Sequence, residues 1–168
     1  MQNIQDLTKW EKCQSTNGEY REPLFVRAYE LTKHLKGPVL EFGVYNGDSA
    51  MILAGLFKGD KIYGFDSWEG LPEDDFPDGY HDFHKGKFKT QKPNLSYYGV
   101  ELVDGLFKDT LPTFVKEHPE PAKFINIDCD LYSSTKDVFD HVIVQSGTCI
   151  YFDEYRWIKG WEKREYAA

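Results

Sequence analysis

The sequence predicts an α/β protein built on a parallel sheet with helices on both faces. Apolar segments of strand length alternate with segments of helical length five times along the chain, and every predicted strand ends in an acidic residue. Such alternation is typical of parallel strands joined by helical crossovers. Because ligands of these sheets bind at the carboxyl ends of the strands, the terminal acids become candidate functional residues.

The composition indicates one acidic globular domain that spans residues 1–168. The chain carries a formal net charge of −8, and 40% of its residues are hydrophobic, enough for a real core. The acidic balance argues against a nucleic-acid backbone or an anionic membrane as partner. Three widely spaced cysteines suggest neither a disulfide framework nor a zinc site. The polar N-terminus and the absence of a membrane-length apolar run favour a cytoplasmic location.

The first third of the chain predicts a helix, a strand and a second helix. Residues 1–37 form an N-terminal helical segment, in which apolar residues recur at helical spacing at Leu24, Ala28, Leu31 and Leu35. The first strand is predicted at 39–42. A helix follows at 49–57, for which Asp48 or Ser49 can serve as the cap.

The later elements continue the alternation. Strands are predicted at 61–66, 98–103, 123–128 and 148–153, and helices at 106–117 and from Ser133 or Ser134 to about residue 145. The stretch 67–97 has little periodicity. A loop of this length in a small domain is typically functional, so we expect it to form a lid.

The turn after the first strand has the features of a cofactor cradle. Glycines at 43 and 47 allow close backbone approach, and the next helix offers free N–H groups. A buried carboxylate at Glu41 would repel a diphosphate but suits an ammonium group. The stretch therefore favours S-adenosylmethionine (SAM) over a dinucleotide.

The ends of the next two strands can complete a nucleoside site. Asp66 can accept two ribose hydroxyls, or it can merely cap the turn through Ser67. The Asp104–Gly105 pair lies where a base would bind, although an ordinary turn explains it equally well.

Three carboxylates at neighbouring strand ends, Asp128, Asp153 and Glu154, predict a metal site. Such groups cannot converge without a cation or protons, and hard oxygen ligands suit magnesium, manganese or calcium. A metal there would lower the pKa of a substrate hydroxyl. The alternative is a solvated corner at 153–154, with Asp128 capping the next helix. Asp130 is the preferred general base, with His81 and His84 as other candidates.

Five stretches, 40–49, 63–72, 103–112, 127–135 and 151–155, resemble the macrocin O-methyltransferase (TylF-type) family of SAM- and metal-dependent enzymes. The resemblance runs from about residue 36 to residue 165. Its most specific parts are the runs 65–72 (Phe-Asp-Ser-Trp-Glu-Gly-Leu-Pro) and 128–135 (Asp-Cys-Asp-Leu-Tyr-Ser-Ser-Thr).

The resemblance implies the class I SAM-methyltransferase fold, which is Rossmann-like, and assigns roles to individual residues. The methionine end of SAM would contact Glu41, Gly43, Tyr45, Asn46, Gly47 and Ser49. The ribose would contact Asp66 and Ser67, and the adenine Asp104 and Gly105. The magnesium ligands would be Asp128, Asp153 and Glu154. With Asp130 as the preferred base beside the metal ligand, the predicted catalytic residues are Asp128 and Asp130.

The implied reaction is methylation of a hydroxyl on a small molecule such as a macrolide sugar. A metal-independent methyltransferase, a non-catalytic SAM-binding protein and a nucleotide-dependent oxidoreductase are the alternatives; the last lacks its Gly-x-Gly-x-x-Gly motif. The family often has two aspartates where this chain has Asp153–Glu154. The usual C-terminal strands of the fold are expected to be missing. A sheet edge left open in this way is compatible with a homodimer or higher homo-oligomer.

Overall fold

The computed structural model describes residues 21–74, 83–153 and 167–168. They form a five-stranded parallel sheet with helices packed on it, which confirms the predicted fold class. The strands are β1 (Val39–Phe42), β2 (Ile62–Asp66), β3 (Val100–Asp104), β4 (Ala122–Ile127) and β5 (Val144–Phe152). The α-helices are α1 (Arg21–Thr32), α2 (Asp48–Leu56), α3 (Phe107–Glu117) and α4 (Tyr132–Phe139).

The sheet has the order β3-β2-β1-β4-β5, and every neighbouring pair is parallel. The chain builds outward from β1 to β3, then returns to the other side of β1 for β4. This reversal opens a crevice beyond the carboxyl ends of β1 and β4, the usual ligand position in such sheets.

Two apolar layers bury the sheet from both sides. On one side Phe57 stacks on Phe124 at 5.4 Å between ring centroids. On the other side Phe42 stacks on Phe65 at 4.8 Å, with Leu111 of α3 in the same cluster. Strands β1 and β4 are buried at every position, because helices cover both of their faces.

The end of α4 and the start of β5 differ from the prediction. The helix ends at Phe139, and the strand begins at Val144, so the last residues assigned to the helix belong to the sheet. The residues just before Cys149 are mostly polar, so the hydrophobic pattern did not predict that they belong to the strand. It pairs through an irregularity at Ala122, where the Thr148 hydroxyl donates to the Ala122 carbonyl oxygen at 2.6 Å. A similar correction applies to β3, which begins at Val100 because residues 96–98 form a 3₁₀ turn.

The predicted helix caps are wrong, and the predicted apolar face of α1 is confirmed at Ala28 but wrong at Leu31. Helix α2 begins at Asp48 after a left-handed Gly47, and α4 begins at Tyr132; neither N-cap residue makes a side-chain cap hydrogen bond. In α1 the buried residues are Phe25, Ala28 and Thr32, whereas Leu31 is 48% exposed. Thr32 can be buried because its hydroxyl donates to the Ala28 carbonyl oxygen at 2.8 Å.

Across the described ranges, none of the helices combines the length and the apolar character that a membrane span requires.

Candidate active site

A cavity of about 450 Å³ lies at the carboxyl edge of the sheet. Its wall is formed by the turn after β1, the segment after β2, the start of α3 and the residues that follow β4 and β5. The cavity-lining residues include seven of the predicted cofactor residues: Gly43, Tyr45, Asn46, Ser49, Asp66, Ser67 and Gly105. Asp128, Asp130 and Asp153 line the same cavity.

Gly43 fixes the turn after β1 between its two neighbouring strands. Its amide donates to the Phe65 carbonyl oxygen at 3.0 Å, and the Asp128 amide donates to the Phe42 carbonyl oxygen at 2.8 Å. Gly43 has a φ of +90°, and a Cβ there would lie 1.8 Å from the Asp128 carbonyl oxygen. Only glycine therefore lets β1 pass β4 this closely.

Asp66 ties the same turn to the end of β2. One carboxylate oxygen accepts the amides of Val44 and Tyr45, each at 2.9 Å, and the other accepts the Trp68 amide at 2.8 Å. A carboxylate offers about four acceptor positions. Among the described residues three of these positions are taken, which leaves one for a further donor. The turn that Asp66 caps is closed through Trp68 rather than Ser67.

Glu41 lies beneath the cavity wall rather than in it, because its side chain is fully buried in β1. The Asn126 amide nitrogen donates to Glu41 Oε1 at 2.8 Å from the paired position on β4. Among the described residues, Glu41 Oε2 has no hydrogen-bond partner. Burial raises the pKa of Glu41 to about 7, although the nearby Ser49 hydroxyl and Asn126 amide act in the opposite direction.

The raised pKa of Glu41 predicts a pH-dependent stability. Between its usual value of 4.5 and its folded value of about 7, the folded chain keeps a proton that the unfolded chain releases. Stability should therefore fall by about 3 kcal/mol as the pH rises through this window. Urea unfolding at pH 4.5 to 8 measures the fall, and Glu41→Gln should remove the part that comes from Glu41 while leaving the part that comes from the raised pKa of Asp128. The exposed Glu101→Gln is the control, and an equal slope in the Glu41 variant and the wild type would contradict the prediction.

Two of the predicted metal ligands, Asp128 and Asp153, converge on one guanidinium. Arg21 Nη1 lies 2.8 Å from Asp128 Oδ2, and Arg21 Nη2 contacts Asp153 Oδ2. The Tyr151 hydroxyl donates to the other Asp153 oxygen at 3.1 Å. Burial and the Asp153 charge raise the pKa of Asp128 well above its ordinary value, while Arg21 acts to lower it.

Arg21 is a residue of this site that the sequence did not predict. It lines the cavity, yet more than a hundred residues separate it from both carboxylates, so no local motif links them. The available signal was the charge imbalance of several acids at adjacent strand ends, which requires some cation. The compensation predicted from the sequence was a metal ion or protons, and an arginine from a distant helix was not considered.

The remaining predicted residues occupy different surroundings. Asp130 lines the cavity with 8% exposure and a left-handed φ of 65°. Asp104 lies outside the cavity, and its carboxylate pairs with the Lys92 ammonium at 2.5 Å. Gly47 also lies outside the cavity and packs against Leu95. His84 is exposed and does not line the cavity. Glu154 and His81 lie outside the described residues. Within residues 21–74, 83–153 and 167–168, no three His, Cys, Asp or Glu residues are arranged to hold a metal ion.

Among the described residues, four residues other than glycine have a positive φ, and three of them line the cavity: Tyr45, Phe88 and Asp130. The fourth, Trp68, is buried and donates from its indole nitrogen to the Tyr45 carbonyl oxygen at 3.3 Å. Unfavourable backbone conformations persist where surrounding contacts enforce them, and they cluster at functional sites. Their position supports the cavity as the functional site of this chain.

This sheet, with its cavity at the strand ends, is the class I methyltransferase fold. The calicheamicin methyltransferase CalS11 superposes with a TM-score of 0.73 at 22% identity, over 81% of this chain and 64% of that chain. An O-methyltransferase from Bacillus cereus, solved in complex with SAH, superposes with a TM-score of 0.55 at 19% identity, over 91% of this chain and 65% of that chain. The sequence places the chain more narrowly, since residues 25–165 match the model of the macrocin O-methyltransferase (TylF) family. The chain belongs to this family.

A curated relative supports the same placement. The mycinamicin III 3''-O-methyltransferase of Micromonospora griseorubida is 32% identical over 127 aligned positions. The match covers 62% of this chain and 49% of that protein. The chain thus spans about half the length of the curated relative that it matches.

Proposed function

We propose that this chain transfers a methyl group from SAM to a hydroxyl of a small molecule, either a sugar or a natural-product-like acceptor. The observation that carries the proposal is that one cavity joins the β1 turn and Asp66 to the Asp128–Asp153 pair. Family membership supports it, as do the names of two similar proteins, a mycinamicin O-methyltransferase and a calicheamicin methyltransferase.

The residues around the β1 turn fit SAM. The buried Glu41 Oε2 has no partner among the described residues, and an ammonium group close to it would compensate the buried charge. The glycine turn lets a ligand approach the backbone, Asp66 keeps an acceptor position for a ribose hydroxyl, and Gly105 leaves space for the base. When bound, SAM supplies a methyl group activated by a sulfonium.

Asp128 and Asp153 fit a divalent cation, because two of their oxygens already converge on a single positive group. Glu154 is proposed as the third ligand. A bound magnesium ion would lower the pKa of the acceptor hydroxyl. The protein's own part is to position that hydroxyl and to exclude water.

Asp130 is proposed to take the proton of the acceptor hydroxyl. It follows Asp128 by two residues and lines the same cavity, so it can reach a hydroxyl held beside Asp128. With SAM bound, the acceptor oxygen would take the methyl group, and the electron pair of the broken carbon–sulfur bond would stay on the sulfur of S-adenosylhomocysteine.

The loop 67–97 is proposed as the lid over this cavity. Glu73 of this loop and Ser133 of α4 both line the cavity, and the Ser133 hydroxyl donates to Glu73 Oε1 at 2.5 Å. The base of the loop is fixed, because the Leu71 amide donates to the Lys87 carbonyl oxygen at 2.9 Å. Opening would therefore involve the exposed Glu73–Ser133 contact rather than the loop base.

Calorimetry with SAM and with NAD, followed by methylation of glycosylated macrolides and free sugar nucleotides, tests the proposal. We expect SAM but not NAD to bind, and we expect mass spectrometry to detect a gain of one methyl group. EDTA should abolish that gain, and magnesium should restore it. Binding of NAD instead of SAM would overturn the proposal. Turnover unaffected by EDTA would overturn its metal part and leave Arg21 as the neutralising cation.

A further inference from the structure

We propose that Arg21 is an internal cation that occupies the divalent-metal site in the metal-free protein and must withdraw when the metal binds. Arg21 would thereby set the affinity of the site for the metal. This inference rests on the metal part of the proposed function. It goes beyond that function because it assigns a competing group within the chain itself.

The contacts of Arg21 define the competition. Its two terminal nitrogens each contact a different carboxylate, at the Oδ2 atoms of Asp128 and Asp153. A divalent cation would need the same oxygens at about 2.0–2.6 Å. The guanidinium and the metal are both positive and require the same positions, so they cannot occupy them together.

The planar guanidinium of arginine is suited to bind both carboxylates in place of a metal ion. Two parallel N–H donors can satisfy two acceptors at once, which the single ammonium of a lysine does less well. The carboxylates would otherwise face each other without compensation. Arg21 therefore keeps the metal-free site folded in the arrangement that the metal requires.

The surroundings of Arg21 allow it to leave the site without unfolding. Its side chain is 30% exposed, and those of Asp128 and Asp153 are 19% and 17% exposed, so the ion pair is open to solvent. One turn further along α1, Phe25 is fully buried and packs edge-on against Phe124 and Tyr151. The helix is thus anchored at Phe25, while the long Arg21 side chain can turn away.

Binding of Mn²⁺ to the protein without SAM or acceptor tests the inference, with free Mn²⁺ followed by electron paramagnetic resonance. Arg21→Met should bind Mn²⁺ at least about 10-fold more tightly than the wild type, because the competitor is gone. Arg27→Met is the matched control, since Arg27 is exposed on the same helix. It should bind like the wild type.

Thermal unfolding provides a second measurement if Arg21→Met is poorly stable. Mg²⁺ should then raise the midpoint of this variant more than that of the wild type or Arg27→Met, because the metal replaces the lost guanidinium. Equal or weaker Mn²⁺ binding by Arg21→Met, with wild-type turnover still dependent on metal, overturns the inference and leaves the proposed function intact. Absence of Mn²⁺ binding in every variant, with turnover insensitive to EDTA, overturns both the inference and the metal part of that function.

Discussion

Replacing Gly43 with alanine is expected to destabilise the fold by about 4 kcal/mol, which combines the cost of a non-glycine residue at positive φ with that of overpacking. The new Cβ would lie 1.8 Å from the Asp128 carbonyl oxygen. Because that oxygen belongs to the backbone beside β4, no side-chain rotation can relieve the clash. Urea unfolding of the variant and the wild type measures the loss, and calorimetry should show that SAM binding is lost as well.

Gly59→Ala is the matched control for this prediction. Gly59 also has a positive φ, +96°, but a Cβ there would meet nothing within 4 Å. It therefore carries the conformational cost alone, about 1 kcal/mol, and should leave the cavity unchanged. If the two variants lost equal stability, the close approach between the β1 turn and Asp128 would not be a determinant of the fold.

The sheet could be predicted because its central strands are buried on both faces. Such strands appear in a sequence as mainly apolar runs, and the run before Gly43, interrupted only by Glu41, predicted the bounds of β1 as the structure has them. The start of β5 has no such run. Its polar residues are accommodated by an irregular pairing with β4, a tertiary contact that periodicity does not reveal.

The part of the candidate site that could be predicted is the set of acids at the carboxyl ends of the strands. Asp66, Asp128 and Asp153 end or directly follow parallel strands, so topology alone brings them to one edge. The contact of Arg21 with two of them depends instead on how α1 crosses the sheet. The spacing within α1 predicted an apolar face through Ala28 and Leu31, of which Ala28 is buried together with Phe25 and Leu31 is exposed. Periodicity of this kind does not show that Arg21 reaches the strand ends.

Replacing Asp153 with asparagine is expected to lower kcat by about 1,000-fold, equivalent to about 4 kcal/mol of lost charge stabilisation. Asp153 lies just after β5, and its backbone amide donates to the Ile127 carbonyl oxygen at 2.9 Å. The variant keeps this backbone hydrogen bond. Asparagine can also still accept from Tyr151. The change therefore removes the negative charge while preserving the shape of the site, and the effect should appear in methyl transfer more than in SAM binding.

Asp140→Asn is the matched control, because it removes one negative charge outside the site, whereas Asp153→Asn removes one within it. Asp140 is exposed at the end of α4 and pairs with Lys136 one turn away, so its charge is screened by solvent and contributes little. Its kcat should match the wild type. The two variants and the wild type should bind SAM with similar affinity in calorimetry, because the β1 turn and Asp66 are untouched. Normal turnover in Asp153→Asn would contradict metal binding at Asp153, and the chemistry would then depend on Asp130 and the geometry of the cavity.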